Sequence, residues 1–220
     1  MTVQPPDDRK KSFLLLLLLA LLGSAHAEPE VDRAELPRIP PTTPGEALGT
    51  FQTAPGYRLE QVAAEPLVAD PIAMAFDGVH RLFVVEMRGY SERRDEKLGR
   101  IRLLIDDDRD GQFDRSTVYA EGLAWPTAVI AWKRGIFVAA TPDIWFFEDG
   151  DGDGIAESSR RVFTGFGAGV DRLNVQALVN SFKWGPGGRI HGATAGNGGQ
   201  VRRAAPGADA AIQLRGVDFS

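Results

Sequence analysis

Two short stretches of the sequence carry carboxylates at alternate positions, which is the spacing that favours binding of a hard cation. The first reads D-x-D-x-D-G-x-x-D and the second reads D-x-D-x-D-G-x-x-E. Alternate carboxylates in a tight loop converge on one point, glycine at position six permits the sharp turn, and Ca²⁺ prefers such oxygen ligands. With the backbone carbonyl of position seven included, the predicted metal ligands are Asp106, Asp108, Asp110, Gln112 and Asp114 in the first loop and Asp149, Asp151, Asp153, Ile155 and Glu157 in the second.

Neither loop has the pattern of an EF-hand. Position twelve, where an EF-hand needs glutamate, is occupied by Thr117 and Arg160. The flanking residues predict strands, so each loop is expected to join the two strands of a hairpin, with calcium in a structural role. Asp-Gly is also an ordinary hairpin dipeptide, which leaves a solvated acidic turn without metal as the alternative. Mutual repulsion of the carboxylates and the presence of two copies favour calcium.

The acidic loops belong to a repeated pattern of short apolar strands. Residues 72–85, 128–138 and 181–192 each read as strand, turn and strand. Repeats of four short strands are typical of β-propeller blades, whereas a β-sandwich, the alternative, does not repeat a motif at this period. The predicted strands are 71–76, 82–86, 100–105 and 116–120 in the first repeat, 127–132, 136–140, 144–148 and 160–163 in the second, and one from 180 and one at 189–194 in the third, which the residues to Ser220 continue. The predicted fold class is therefore all-β, a β-propeller with about three blades in this chain.

The connections opposite the acidic loops are the predicted functional face. In a blade of four antiparallel strands, the first and third turns share one face, and the other connections share the opposite face, where a rigid scaffold can position functional loops. The candidates there are Glu86, Arg88 and Asp143 for catalysis, and Tyr90, Trp125, Asn174, Gln176, Asn180 and Asn197 for substrate binding, with Trp125 as a stacking platform. For each of them a solvated loop residue is the alternative, and Asn180 and Asn197 also suit backbone turns.

The N-terminal region predicts export. Basic residues at 9–11, an apolar run at 13–22 and small residues at positions 25 and 27 have the pattern of a signal peptide. The predicted organisation is a signal peptide at 1–27, a proline-rich linker without helix at 28–56 and a partial propeller at 57–220. The mature protein would be periplasmic or extracellular, and no transmembrane span is expected after cleavage.

Composition excludes several functional classes. The formal net charge of -5 argues against nucleic-acid binding, which needs a basic surface. The absence of cysteine excludes a thiolate nucleophile, a disulfide and covalent haem attachment within this sequence. The G-x-S-x-G, H-E-x-x-H, P-loop and Rossmann motifs are also absent.

A family resemblance rests on several segments of the chain. Residues 62–77, 84–90 and 99–104 with the acidic loop that follows, together with 180–185 and 196–199, resemble the N-terminal domain of PVC-type (planctomycete and verrucomicrobial) membrane-bound dehydrogenases, among the haem-binding CxxCH proteins. The resemblance implies that residues 57–220 are a fragment of a longer secreted protein. It also implies oxidation of a sugar or an alcohol, with electrons passed to a cytochrome c domain that carries haem c outside this chain.

A more remote resemblance is to the glucose/sorbosone dehydrogenase propellers, which are six-bladed and use pyrroloquinoline quinone (PQQ) with Ca²⁺. Those enzymes have a general-base histidine just before two glycines. Here the histidine position holds Ala177, the glycines are Val179 and Asn180, and the neighbouring Gln176 does not titrate.

The sequence is therefore consistent with three functions. The first is a redox enzyme acting on a carbohydrate or alcohol. The second is a non-catalytic, calcium-stabilised propeller that binds glycans or an extracellular partner. The third is a hydrolase that uses paired carboxylates such as Glu86 and Asp143, which requires the pair to lie a few ångströms apart.

Overall fold

Short antiparallel strands are the main regular structure of the protein. The computed structural model describes Ala34, residues 36–205, Gly207 and residues 210–220. Within these residues the strands form three antiparallel sheets, none of them closed, so the all-β fold class is confirmed. The strands are β1 (Pro71–Phe76), β2 (Leu82–Glu86), β3 (Gly99–Ile105), β4 (Arg115–Leu123), β5 (Pro126–Trp132), β6 (Gly135–Ala140), β7 (Asp143–Glu148), β8 (Ser158–Phe166), β9 (Asn180–Trp184), β10 (Ile190–Ala193), β11 (Gly199–Arg203), β12 (Ile212–Leu214) and β13 (Asp218–Phe219).

The first two sheets follow the order of the chain. Sheet 1 has the order β1-β2-β3-β4, and sheet 2 contains β5 to β8 in sequence. Each pair of neighbours is antiparallel, and the connections between them range from two residues between β5 and β6 to twelve between β2 and β3, so strands that follow one another in sequence pair locally. The ten strands predicted from sequence are all present, and their ends differ from the prediction by three residues or fewer.

The third repeat departs from the prediction. Strands β11 and β12 extend sheet 2 beyond β8, while β13 pairs with β10 in sheet 3, whose order is β13-β10-β9. Two glycines explain the attachment of β11 to β8. A Cβ on Gly165 would lie 2.0 Å from the Gln200 carbonyl oxygen, and one on Gly199 would lie 2.2 Å from the Gly165 carbonyl oxygen. Only residues without side chains permit backbones to approach this closely.

Sheet 2 is packed on both faces. Between sheets 1 and 2 the apolar core includes Phe83, Val85, Ile101, Leu103, Tyr119, Ile136 and Val138. On the opposite face of sheet 2 the core includes Ala128, Ile130, Ile144, Phe166, Val179 and Phe182. Strand β2 is buried along its whole length because its other face, with Leu82 and Val84, packs against Val68 of the preceding segment. This double burial explains why several strands read as continuous apolar runs.

The segment before the sheets contains helical turns that the sequence analysis excluded. The chain divides into two units, residues 1–42 and 43–220. At the start of the second unit, α1 (Pro44–Ala47) leads into a 3₁₀ turn at Leu48–Thr50. The expectation that prolines prevent a helix throughout 28–56 is therefore wrong, because Pro44 occupies the first turn, where a missing N–H costs no hydrogen bond.

The first unit is described only in part. Ala34 and residues 36–42 are exposed, without helix or strand. The predicted signal peptide at 1–27 lies outside the described residues. Among the residues that are described, no helix is long and apolar enough to cross a bilayer.

Candidate functional site

The second acidic loop, residues 149–157, joins β7 to β8 and folds around its first carboxylate. The Asp149 side chain accepts hydrogen bonds from the backbone N–H of Gly152 at 2.5 Å and of Gly154 at 3.1 Å. At the end of the loop the Glu157 carboxylate accepts one from the N–H of Gly150 at 2.5 Å. Asp149 is only 4% exposed. Gly154 has a φ of +90°, so the turn at position six uses the left-handed conformation that glycine adopts without strain.

The first acidic loop, residues 106–114, joins β3 to β4 with the same hydrogen-bond pattern. Asp106 accepts from the N–H of Arg109 at 2.6 Å and of Gly111 at 3.0 Å. Asp114 accepts from the N–H of Asp107 at 2.7 Å. Position for position these bonds match those of the second loop, so the two sequences fold into one geometry.

The loops differ in how many carboxylates they bring together. In the second loop, one oxygen each from Asp149, Asp151, Asp153 and Glu157 lies within 4.8 Å of all the others. In the first loop the corresponding group is Asp106, Asp108 and Asp114. Asp110 is outside that group, and its carboxylate accepts a hydrogen bond from the N–H of Gln112 at 2.7 Å. Both clusters could hold a metal ion such as Ca²⁺, with the larger set of ligands in the second loop.

Charge on the first loop is partly balanced by a neighbouring cation. The guanidinium of Arg115 donates to the Asp107 carboxylate at 2.7 Å. This hydrogen bond holds the pKa of Asp107 below its usual range. Asp107 points to Arg115 and is not a member of the group that could hold a metal.

The β1–β2 and β5–β6 turns lie beside the second acidic loop. The N–H of Asp149 donates to the carbonyl oxygen of Arg134 in the β5–β6 turn at 3.2 Å. The Arg81 guanidinium, which follows the β1–β2 turn, lies 4.0 Å from the Asp149 carboxylate. The predicted grouping of these turns on one face is therefore present here.

The opposite connections converge as predicted. Met87, Trp125 and Leu178 form a buried apolar cluster with Val175 packed against it. They come from the β2–β3, β4–β5 and β8–β9 connections respectively. We call the surface above this cluster the loop face.

Tyr90 and Trp125 have different positions on the loop face. Trp125 is only 6% exposed, so its ring is part of the core and does not present a free stacking surface. Tyr90 is 51% exposed, and its ring centroid lies 6.5 Å from that of Trp125. The Arg94 guanidinium lies 5.8 Å above the Trp125 ring. The accessible aromatic surface is therefore that of Tyr90, supported from below by Trp125.

A cavity of about 410 Å³ opens beside Tyr90. Its walls are Asp70, Pro71, Ile72, Met87, Gly89 and Tyr90. Asp70 is exposed, and no described residue donates a hydrogen bond to its carboxylate. Its backbone is in the left-handed region with a φ of +48°, a conformation that aspartate tolerates better than most residues. The cavity thus has apolar and aromatic residues in its wall together with Asp70, whose carboxylate is unpaired among the described residues.

Glu86 is fully engaged inside the protein. It is 0% exposed. One carboxylate oxygen accepts from the N–H of Ala69 at 2.7 Å, and the other accepts from the Arg100 guanidinium, which is directly opposite on β3. A third charge, that of Arg102, lies 3.9 Å away. This network fixes the segment before β1 to sheet 1, which is a structural role.

Burial also affects the arginine beside this network. Arg102 donates to the carbonyl oxygen of Leu67 at 3.1 Å, which ties the same segment to β3. Burial and the positive charge of Arg100 lower the pKa of Arg102, and the charge of Glu86 acts in the opposite direction.

Asp143 is buried with one carboxylate oxygen unpaired. It is 7% exposed, and its other oxygen lies 3.6 Å from Arg161. Nearby, the Arg94 guanidinium donates to the Thr141 carbonyl oxygen at 2.7 Å. The Nε of Arg94, the hydroxyl of Thr141 and one oxygen of Asp143 are all buried without a hydrogen-bond partner. The hydrogen bond from Arg94 to Thr141 joins the β2–β3 connection to the β6–β7 turn. Asp143 and Glu86 do not share a hydrogen-bond network.

The predicted amide side chains mainly organise the backbone. Buried Asn197 donates to the carbonyl oxygens of Asn174 and Ala177, each at 2.8 Å, and accepts from the N–H of Asn174 at 2.9 Å. Asn180 donates to its own turn at Leu178. Asn197 precedes β11, so the connection predicted at 195–200 is shorter than expected. Of the remaining candidates, Arg88, Asn174 and Gln176 are exposed.

The position that carries the general-base histidine in quinone-dependent sugar oxidases is alanine here. The backbone oxygen of Ala177, at the position of the expected base, is bonded to Asn197. The two described histidines lie elsewhere. His80 is in the β1–β2 turn, and His191 is an exposed residue of β10. Within the described part of the chain, no imidazole is therefore available on the loop face to accept a substrate proton.

Two residues of the loop face were not among the sequence candidates. Arg94 lies in a charged run that reads as solvated, and Asp70 precedes a proline and reads as a turn residue. Their positions depend on contacts across sheets and connections. The left-handed backbone conformation of Asp70 could not be predicted from the sequence, because the residue is not a glycine.

Comparison with known proteins gives one family match. A family model described as a domain of unknown function, DUF7133, matches residues 43–220, which are 178 of the 220 residues. The curated proteins contain no match to this chain. The matched region includes both acidic loops, the whole loop face and every described strand. The chain belongs to the DUF7133 family.

Proposed function

We propose that residues 57–220 form part of a six-bladed β-propeller whose loop face binds a carbohydrate, in an exported protein stabilised by calcium. The radial packing of successive antiparallel sheets supports the propeller. Sheet 2 lies with one face against sheet 1 and the other against the core of β9 and β10. The first strands of the sheets, β1, β5 and β9, are also neighbours, as inner strands around a propeller axis would be.

The proposal of calcium rests on ligand chemistry and on repetition. Two loops with the same hydrogen-bond pattern direct carboxylates toward one point, and carboxylate oxygens in flexible loops are suited to Ca²⁺. Both loops lie on the side of the sheets away from the loop face, which favours a structural role.

The observation that carries the carbohydrate proposal is the cavity beside Tyr90. An exposed aromatic ring offers an apolar surface to the C–H groups of a sugar, and an unpaired carboxylate accepts hydrogen bonds from its hydroxyls. Tyr90 and Asp70 supply these two elements on a common cavity. The buried Glu86 network, and the lack of a histidine among the described residues of the loop face, favour binding without turnover over quinone-dependent oxidation.

The test is binding of a panel of neutral mono- and oligosaccharides to the full chain by titration calorimetry. Binding by the wild type should be lost in Tyr90→Ala and weakened at least tenfold in Asp70→Asn. Tyr57→Ala is the matched control, because Tyr57 is also exposed but is not part of the cavity wall. Equal affinity in all variants would reject this cavity as the site.

Oxidation of a sugar or alcohol is the second candidate function, with a PVC-type dehydrogenase as the parent protein. The specific observation in its favour is the unpaired, buried oxygen of Asp143, a group that could accept a substrate proton. The electron acceptor would be a cytochrome c domain outside this chain. Sugar-dependent dye reduction that disappears in Asp143→Asn, with the fold retained, would favour this function over binding alone.

A further inference from the structure

The second acidic loop contacts sheet 1 as well as its own hairpin. The N–H of Ala156 donates to the carbonyl oxygen of Tyr119 on β4 at 2.9 Å. The hydroxyl of Thr117, also on β4, donates to the carbonyl oxygen of Gly154 at 3.1 Å. A loop that belongs to sheet 2 by sequence is therefore also bonded to the outer strand of sheet 1.

The hydroxyl of Tyr119 is buried beside this loop and has no partner. Tyr119 is 1% exposed, and its ring meets Phe83 edge to face at 4.9 Å. No described group forms a hydrogen bond with its hydroxyl, although leaving such a group unpaired in the interior is costly. Burial and the negative charge of Asp149 raise the pKa of Tyr119, and the positive charge of Arg81 acts in the opposite direction. Tyr119 lies against the second acidic loop, because its carbonyl oxygen accepts the Ala156 N–H and Ala156 packs against the core cluster that contains the Tyr119 ring.

We propose that the second acidic loop is an inter-sheet metal site, in which the Tyr119 hydroxyl of sheet 1 supports the metal-binding carboxylates of sheet 2 from the outer coordination shell. This inference rests on the proposed metal binding and extends it. Carboxylates that bind metals are themselves oriented by hydrogen bonds from neighbouring groups. A phenol O–H donated to a ligand carboxylate, or to a water on the ion, satisfies the buried hydroxyl and fixes the ligand.

The first acidic loop provides an internal comparison. Its equivalent backbone contact is present, because the N–H of Phe113 donates to the carbonyl oxygen of Val62 at 2.9 Å. Val62 therefore occupies the position that Tyr119 has beside the second loop, but valine has no hydroxyl to donate. The first loop also gathers three carboxylates where the second gathers four. The second loop should accordingly bind the ion more tightly.

The consequence is that metal binding and the packing of sheet 1 on sheet 2 are one coupled event. The ion holds Asp149 and Glu157 in place, and these residues frame the segment that is bonded to Thr117 and Tyr119. Calcium should then protect β4 as well as β8, although β4 contributes no ligand to the second loop. A metal at the second loop that ties only the β7–β8 hairpin would add nothing to the protection that an ion in the first loop, which is continuous with β4, gives to that strand.

The first experiment is a calcium titration of the full chain by calorimetry. The wild type should show a tighter and a weaker site, and Asp149→Asn should remove the tighter one. Tyr119→Phe should weaken the tighter site by about tenfold and leave the weaker site unchanged. Tyr57→Phe is the control, because Tyr57 is exposed and makes no contact with either loop.

The second experiment measures coupling between the sheets without depending on the Tyr119 variant. Backbone hydrogen exchange is compared with calcium and with EGTA in the wild type and in Asp149→Asn. Calcium should slow exchange across residues 115–123 more in the wild type than in Asp149→Asn, where only the first loop, at the start of β4, still binds the ion. Absence of any calcium binding would reject the metal proposal itself. Loss of the tighter site in Asp149→Asn, with no effect of Tyr119→Phe and equal protection of residues 115–123 in the wild type and Asp149→Asn, would overturn the inter-sheet site alone.

Discussion

Replacing Glu86 by glutamine should destabilise the protein strongly, because the change removes one charge from a buried ion pair. The Glu86 carboxylate is 0% exposed and the Arg100 side chain is 22% exposed. Glutamine keeps an oxygen that can accept the hydrogen bond from the Ala69 N–H. The loss of stability in this variant is therefore due mainly to the missing charge and only to a small extent to a missing hydrogen bond. Loss of one partner of a buried pair costs roughly 3 to 5 kcal/mol, and the partial exposure of Arg100 places the expected value near about 3 kcal/mol.

The assay is urea unfolding followed by circular dichroism, with the free energy extrapolated to water. A loss of about 3 kcal/mol in a protein of this size corresponds to a fall in Tm of roughly 6 to 12 °C. Glu92→Gln is the matched control, because Glu92 is exposed and bonds only to its neighbour Ser91. Its free energy of unfolding should change by less than about 0.5 kcal/mol.

A second variant identifies the cause of the loss. Arg100→Met combined with Glu86→Gln removes the orphaned cation, so the double variant should be more stable than Glu86→Gln alone. If Glu86→Gln retained the stability of the wild type, the ion-pair argument would be refuted. If that stable variant no longer bound ligand, the result would support the catalytic role that the sequence analysis predicted for Glu86.

Three further outcomes are expected. Saturating calcium should raise Tm relative to EGTA, since a hundredfold excess over Kd contributes about 2.7 kcal/mol per site, and an unchanged melt would argue against calcium. Asn197→Ala should cost about 2 kcal/mol in urea unfolding, because three hydrogen bonds to the 174–177 connection are lost, whereas wild-type stability would contradict that role. Gly99→Ala should cost about 2 kcal/mol because its Cβ would lie 2.3 Å from Pro126, and Gly78→Ala, with no atom within 4 Å, is the control whose equal loss would refute the steric argument.

The strand positions could be predicted because they depend on local patterns. Short apolar runs separated by turns predicted ten strands. The acidic loops could be predicted because all of their carboxylates lie within one contiguous segment of nine residues. The placement of β11 against β8 depended on close approach of Gly165 and Gly199, which are distant in sequence. No local sequence pattern indicates such a contact. The sequence therefore predicts that all residues to Ser220 belong to the third repeat, whereas β11 and β12 belong to sheet 2.

Side-chain roles were harder to predict than side-chain positions. Topology placed Glu86, Trp125 and Asn197 on the loop face, and the structure has all three buried. Their burial depends on which neighbours cover them, so a carboxylate, an indole and an amide that read as exposed ligand groups are part of the internal framework. Tyr90 and Asp70 are exposed and line the same cavity. Their proximity could not be predicted from sequence, because it depends on contact between the start of β1 and the β2–β3 connection.

The two faces of the sheets carry different kinds of constraint. On the acidic side, both loops repeat one backbone geometry, and each position-eight N–H bonds to the element that precedes its sheet. On the loop face the connections differ in length and in backbone, and Trp125 has a φ of +47°, which is strained for a bulky side chain. Strain of this kind persists only when surrounding contacts enforce it, and Met87, Leu178 and Arg94 supply those contacts. A uniform framework held together on one side can therefore support individual, strained connections on the other, where Tyr90 and Asp70 are exposed.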